Sequence, residues 1–230
     1  MVNYFISYDI LSYDLALQYD KRVYCEYYIS LIKSKHSLIF SFYNNKDYNS
    51  KIIKIDLFFI SLAGYYAING LFFNDDTMHK IYETKGKYNL EYNIPRIIYS
   101  SLISIVLNKI LKVLALSNDA ILDFKQIKNK NDIDKEKNNL LNKLKIKFIL
   151  YYIISSILIL FFWYYISMFG AIYKNTQVHL LKDTLISFGL SLIYPFGIYL
   201  LPGIFRIPAL SNRKNKKKYL YNFSKLLQML

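Results

Sequence analysis

The chain has 230 residues, 54% of them apolar and 18% aromatic, yet its net charge is +14. A soluble domain that apolar would need an unusually large core, whereas a membrane bundle with basic loops accommodates both numbers. The cations sit beside hydrophobic runs and not on a separate soluble module, so a lipid bilayer is the expected partner and nucleic acid is not.

Cys25 is the sole cysteine, which rules out an intrachain disulfide and a cysteine-based zinc site. The opening MVNYFISYDILSYD lacks a basic n-region and meets Asp9 and Asp14 early, so insertion is expected to be driven by an internal span. Residues 1–52 then read as a cytosolic, membrane-proximal helical segment. Ser12 is a plausible N-cap, and Ala16, Tyr19, Val23, Tyr27 and Leu31 recur at helical spacing. Tyr24, Tyr28 and Ile32 widen that stripe into one amphipathic helix. It suits the membrane interface, with its tyrosines at headgroup level, and equally suits packing on the protein's own spans. HSLIFSFY (36–43) is too short to cross, and YNNKDYNS (43–50) is rich in turn formers.

A first transmembrane hairpin is expected over residues 53–116. Its first span, 53–73, carries Asp56 about one turn from its leading end. The link NDDTMHKIYETKGKYNLEYN predicts a short helix capped by Asn74 or Asp75 and stopped at Gly86. Asp75, Asp76 and His79 share a helix face, but an acidic first turn accounts for them better than a metal site. The second span, 94–116, opens with Pro95 and places Ser101, Ser104, Asn108 and Lys112 on one face. Asp56 and Lys112 fall at similar depth in antiparallel neighbours. An unpaired intramembrane carboxylate seeks a cation, so Asp56 is expected to face Lys112, or Lys109 as second choice.

Residues 117–147 form a basic cytosolic loop with weak helical periodicity at both ends. The second hairpin, 148–210, holds the clearest signal in the chain. FILYYIISSILILFFWYYISMFGA (148–171) has no charge across 24 residues, enough to cross a hydrocarbon core of about 30 Å. After the link IYKNTQVHLLKD, a fourth apolar run (184–210) carries Pro195, Pro202 and Pro208, which predict kinks. Gly189 and Gly197 in that run permit close helix approach. In the tail, 211–230, the cations Arg213, Lys214, Lys216, Lys217 and Lys218 are placed for headgroup contact with anionic lipid. Tyr219, Leu220, Phe223, Leu226, Leu227 and Leu230 then offer an apolar face to the interface.

The expected fold is therefore all-α: an integral membrane protein of about four transmembrane helices, an N-terminal amphipathic helix and a basic tail. Of the 30 Lys and Arg, only Lys80, Lys85, Lys87, Arg96, Lys174 and Lys182 fall on one side of the membrane in this arrangement. The positive-inside rule then puts both termini in the cytosol. No phosphate loop, HExxH or GxSxG occurs, and His36, His79 and His179 lie in different links. A site of His79 and His179 with Asp75 or Asp183 is the one enzymatic alternative, and it is weak. No catalysis and no cofactor are expected.

Four stretches carry a resemblance: LSYDLALQYDKRVYCEYYISLIKSKHSLIFSFYNNKDYN, NGLFFNDDTMHKIYETKGKYNLEYNIPRIIYSSLISIVLNKILKVLALS, FFWYYISMFGAIYKNTQVHLLKDTLISFGLSLIYPFGIYLLPGIFRIPAL, and the basic tail. Together they resemble the C-terminal multi-pass module of large membrane proteins of unicellular eukaryotes. The first span pair also faintly resembles the hairpin after the lipid-binding domain of polycystin-1-like proteins. In the first family the module often follows a repeat-rich extracytoplasmic region and carries no assigned activity. The resemblance implies a membrane anchor or assembly module of a larger surface or endomembrane protein, with membrane-protein partners or a second copy. The alternative from the residues themselves is a channel or transporter component, with a polar pathway along the second span.

Overall fold

Every regular element among the described residues is helical, and four stretches are long and apolar enough to cross a membrane: Lys51–Leu71, Leu90–Ala115, Ile133–Ile172 and Gln177–Ser211. The protein is an all-α integral membrane protein. The computed structural model describes residues 8–9, 11–43, 47–125, 133–211 and 217–228.

The N-terminal stripe does not form one helix. It divides into α1 (Tyr13–Tyr19) and α2 (Tyr24–Lys35), followed by α3 (Ser37–Phe42). Asp20 is extended, with φ −86° and ψ 97°, because its carboxylate turns inward to meet two arginines. The backbone N–H of Val23 is instead taken by the Glu26 carboxylate at the start of α2. Tyr19 and Val23 thereby leave the buried stripe, while Ala16, Tyr27 and Leu31 stay in it.

The first span is α4 (Lys51–Leu71), followed by α5 (Asp75–Glu83). Asn74 caps α5 by accepting from the Thr77 N–H at 3.0 Å. The exit of α5 pairs Gly86 N–H with Ile81 O and Lys85 N–H with Tyr82 O, a Schellman turn with Lys85 at φ 51° and Gly86 at φ 75°. The second span, α6 (Leu90–Ala115), starts earlier than Pro95 predicts, because the Asn89 side chain accepts from the Tyr92 N–H at 3.2 Å. Pro95 therefore sits in the second turn, where it leaves the Glu91 carbonyl without its helical donor.

The basic loop is helical at both ends, in α7 (Asn118–Lys125) and in the start of α8 (Ile133–Ile172). At about 1.5 Å per residue the 40 residues of α8 span about 60 Å, twice a hydrocarbon core. Its charged first part must lie outside the hydrocarbon. The fourth passage is broken into α9 (Gln177–Ile198) and α10 (Leu200–Ser211), and α11 (Lys218–Leu227) follows. Pro202 lacks the N–H that would meet the Ile198 carbonyl, and its ring crowds that carbonyl, so the helix stops there and restarts.

Two compact units result. One comprises Asn49–Leu116 and Leu141–Ser191. Its core is Ile53, Leu57, Ile60, Ala67, Leu111, Ala115, Tyr151 and Phe162, from α4, α6 and α8. The outward side chains of α8, among them Ile153, Ile157, Leu160 and Trp163, are apolar, as contact with lipid requires. The other unit comprises Met1–Tyr48, Ser117–Leu140 and Leu192–Leu230. In it α10 and α11 pack together, α2 and α1 lie against α10, and Leu11, Tyr13, Ala16, Ala209 and Tyr221 form the apolar centre.

Close helix approach is not made at Gly189 or Gly197, where an added Cβ would meet nothing within 4 Å. It is made at Gly70, 2.8 Å from the Tyr165 ring by the same measure, and at Gly203, 2.7 Å from the Tyr24 ring.

Candidate functional site

Each unit is organised around a buried polar cluster. In the spanning unit the cluster begins with Asn69 on α4, which is 0% exposed. Its amide donates to the Tyr65 carbonyl and to the Ser187 hydroxyl of α9, both at 2.8 Å, and its carbonyl accepts from Ser100 of α6 at 2.7 Å. One asparagine thus joins three helices. Asn108 repeats the device further along α6 by donating to Ser61 of α4 at 2.7 Å. In an apolar surrounding each such bond also spares the cost of an unpaired polar group.

Towards the start of α6 the cluster becomes charged. The Arg96 guanidinium donates to Asn93 at 2.9 Å and to the Asp183 carboxylate of α9, and it lies 4.0 Å over the Phe73 ring. Asp183 also accepts from the Tyr88 hydroxyl. Burial, together with that neighbouring carboxylate, pushes the Tyr88 hydroxyl well above its ordinary value, so it remains a donor. Among the described residues of this unit, two buried side-chain atoms have no protein partner, Arg96 Nε and Ser104 Oγ; in the other unit the same is true of Arg206 Nη1. Asn93, Arg96, Ser100 and Ser104 follow one another at offsets of three and four, and make the inward face of α6.

The residues singled out from the sequence distribute around this cluster. Asp56 accepts from the Tyr151 hydroxyl of α8 at 2.6 Å, a partner that no sequence spacing suggests. Ser101 turns its hydroxyl onto the Ile97 carbonyl of its own helix at 2.6 Å, and it is Ser100 that reaches the neighbouring helices. Ser104 is buried, Asn108 and Lys112 are half-buried, and Lys109 is exposed. His79 pairs with Glu83 on exposed α5 at 3.2 Å, while His179 is buried with its ring 5.8 Å from that of Tyr88. Asp183 is engaged by Arg96 and Tyr88.

The second cluster is centred on Asp20. Arg206 of α10, itself 0% exposed, donates to Asp20 through Nε at 3.0 Å and Nη2 at 2.8 Å, and to the Tyr8 carbonyl at 2.6 Å. Arg22 bonds both oxygens of the same carboxylate, at 2.8 and 2.9 Å, and reaches Asp9 at 2.8 Å. Arg206 also lies 4.7 Å from the ring centre of Tyr221 and 5.2 Å from that of Tyr27. Burial alone would raise the Asp20 carboxyl, but hydrogen bonds and charge from Arg22 and Arg206 outweigh it and hold it below the ordinary value. Burial pushes the Tyr27 hydroxyl up to about 12, and Gln228 donates to that hydroxyl.

A second set of contacts joins α2 and the α3 cap to the broken fourth passage. Tyr24 donates to the Leu200 carbonyl at 2.8 Å, Tyr28 to that of Phe196 at 3.0 Å, and His36 Nε2 to that of Leu192 at 2.7 Å. The acceptors step back by four while the donors advance by four and eight, which is an antiparallel ladder of side chains on carbonyls.

Of the tail cations, Lys218 is exposed and Lys217 half-buried, whereas Arg213, Lys214 and Lys216 lie outside the described residues. The inward face of α11 is Tyr221, Ser224 and Gln228, and its outward face holds Tyr219, Phe223 and Leu226. A scan for protein families and searches of curated proteins and of solved structures each found no match to this chain.

Proposed function

We propose that the chain is a membrane anchor and assembly module that performs no catalysis and associates with other membrane proteins or a second copy. The observation that carries this reading is the use made of the polar side chains on the second span. Ser100 and Asn108 are spent on hydrogen bonds to α4, which is how polar residues hold helices together in lipid, and Ser104 between them is buried. A conducting face would instead keep such groups available to water or ions. Both termini are cytosolic in this reading, because 24 of the 30 Lys and Arg then lie on the cytosolic side. The tail cations from Arg213 to Lys218 would add attraction to an anionic leaflet of about 1 kcal/mol each.

Thiol accessibility separates anchor from channel. In a Cys25→Ser background reconstituted in vesicles, Ser100→Cys, Ser104→Cys and Asn108→Cys are exposed to a membrane-impermeant methanethiosulfonate. A packed face leaves Ser100→Cys and Ser104→Cys unmodified. Rapid modification of all three, on successive turns of one face, would establish a water-filled path and replace the anchor with the channel reading.

A further inference from the structure

We infer that the unit holding α1, α2, α3, α10 and α11 is itself seated in the bilayer, at the boundary of headgroups and acyl chains, with its outer apolar side chains against lipid. Beside its apolar centre the unit buries a polar cluster, and large apolar side chains stand on its outside. The interior holds Asp20, Arg206, Gln228 and the hydroxyls of Tyr27 and Tyr221. The exterior carries Val23, Ile29, Phe42, Tyr219, Phe223 and Leu226, each between 45% and 70% exposed. Large apolar side chains on the outside suit a lipid-facing surface.

The carbonyl ladder gives a second, independent reason. Pro195 and Pro202 take helical donors from the Ser191 and Ile198 carbonyls, and around that break the Leu192, Phe196 and Leu200 carbonyls receive side-chain donors from His36, Tyr28 and Tyr24. Water would supply acceptors for such donors freely at an aqueous surface. In hydrocarbon a tyrosine hydroxyl or imidazole N–H finds an acceptor only in protein, which gives a reason for all three donors on this side of α2 and its exit to take a carbonyl. The chain also enters this unit within α9, inside one of the four stretches apolar enough to span. Exposed Lys33 and Lys218 sit among the apolar residues, where their heads can reach the headgroup layer while the stems stay in contact with lipid. The occupant of this surface is therefore the bilayer. The inference rests on the spans and not on the anchor reading, and it holds equally for a channel.

The natural cysteine supplies the test without a substitution. Cys25 is exposed on α2, one turn before Ile29. A nitroxide attached to it, in full-length protein reconstituted in phosphatidylcholine vesicles, should collide more often with oxygen than with a water-soluble nickel chelate. A second label at Phe223→Cys in a Cys25→Ser background should give the same ordering, and a label at exposed Lys87→Cys, just beyond the α5 exit, should give the reverse. Nickel collisions exceeding oxygen collisions at both Cys25 and Phe223→Cys would place the unit in water and overturn the inference. Shielding of both labels from both reagents would mean that protein covers the surface, and would overturn it too.

Discussion

Arg96 and Asp183 show how one residue pair can govern a span contact. The two are 8% and 0% exposed at their side chains, and Asp183 accepts from Tyr88 as well as from Arg96. Taking two charges out of water costs several kcal/mol per ion, and mutual attraction with extra hydrogen bonds offsets that cost. Removing one partner leaves the other buried and uncompensated. Asp183→Leu should therefore destabilise the protein by roughly 3–5 kcal/mol, measured as unfolding in mixed micelles with increasing dodecyl sulfate. Arg96→Met added to it should recover most of the loss, since an apolar pair of similar volume has no charge to desolvate. Losses that simply add would mean that the pair makes no energetic coupling.

At the scale of elements, the seat of α2 on α10 depends on Gly203. A Cβ there would stand 2.7 Å from Tyr24 Cε2 and 3.3 Å from Tyr27 Cδ1. Gly203→Ala must displace the Tyr24 ring and with it the bond to the Leu200 carbonyl. Overpacking of this kind costs typically about 1–3 kcal/mol. Gly197→Ala meets open space and should be near neutral, because alanine is the better helix former. Thermal unfolding of the two variants in detergent compares them directly. Equal losses would show that the backbone, and not the close approach, sets the cost. The same contact explains why α1 and α2 do not merge. A continuous helix through Asp20 would carry its carboxylate away from Arg206, whose burial without that partner is the larger penalty.

For the molecule as a whole, the proposed orientation has a direct consequence. In that orientation residues 80–90 and 174–182 would lie on the lumenal or external side, and residues 125–140 and the tail would stay in the cytosol. Glycosylation acceptors introduced in the first two segments should be modified during membrane insertion, and acceptors in the last two should not. Modification within 125–140 would invert the arrangement. α8 sharpens this test, because its charged start from Ile133 makes a rigid helix out of half of what the sequence presents as a loop.

The membrane class, the four spans, the cap at Asn74 and the interruption of the fourth run at its prolines were legible in the chain, because each follows from local physics, whereas the Asn89 cap that starts α6 before Pro95 was passed over. Run length against bilayer thickness, side-chain capping of free N–H groups and the missing donor of proline involve neighbours in sequence. The polar clusters were not legible. Arg96 and Asp183 are separated by 87 positions, and Asp20 and Arg206 by 186, so no spacing rule links them. Arg96 reads in sequence as one more cation at a span end, and Asn69 as a lone amide near the end of an apolar run. Which glycines are crowded was equally hidden: Gly70 and Gly203 differ from Gly189 and Gly197 only in what stands opposite. Tertiary structure decided these matters because a buried charge or a close approach is settled by the partner that folding brings to it, and hydropathy carries no record of partners.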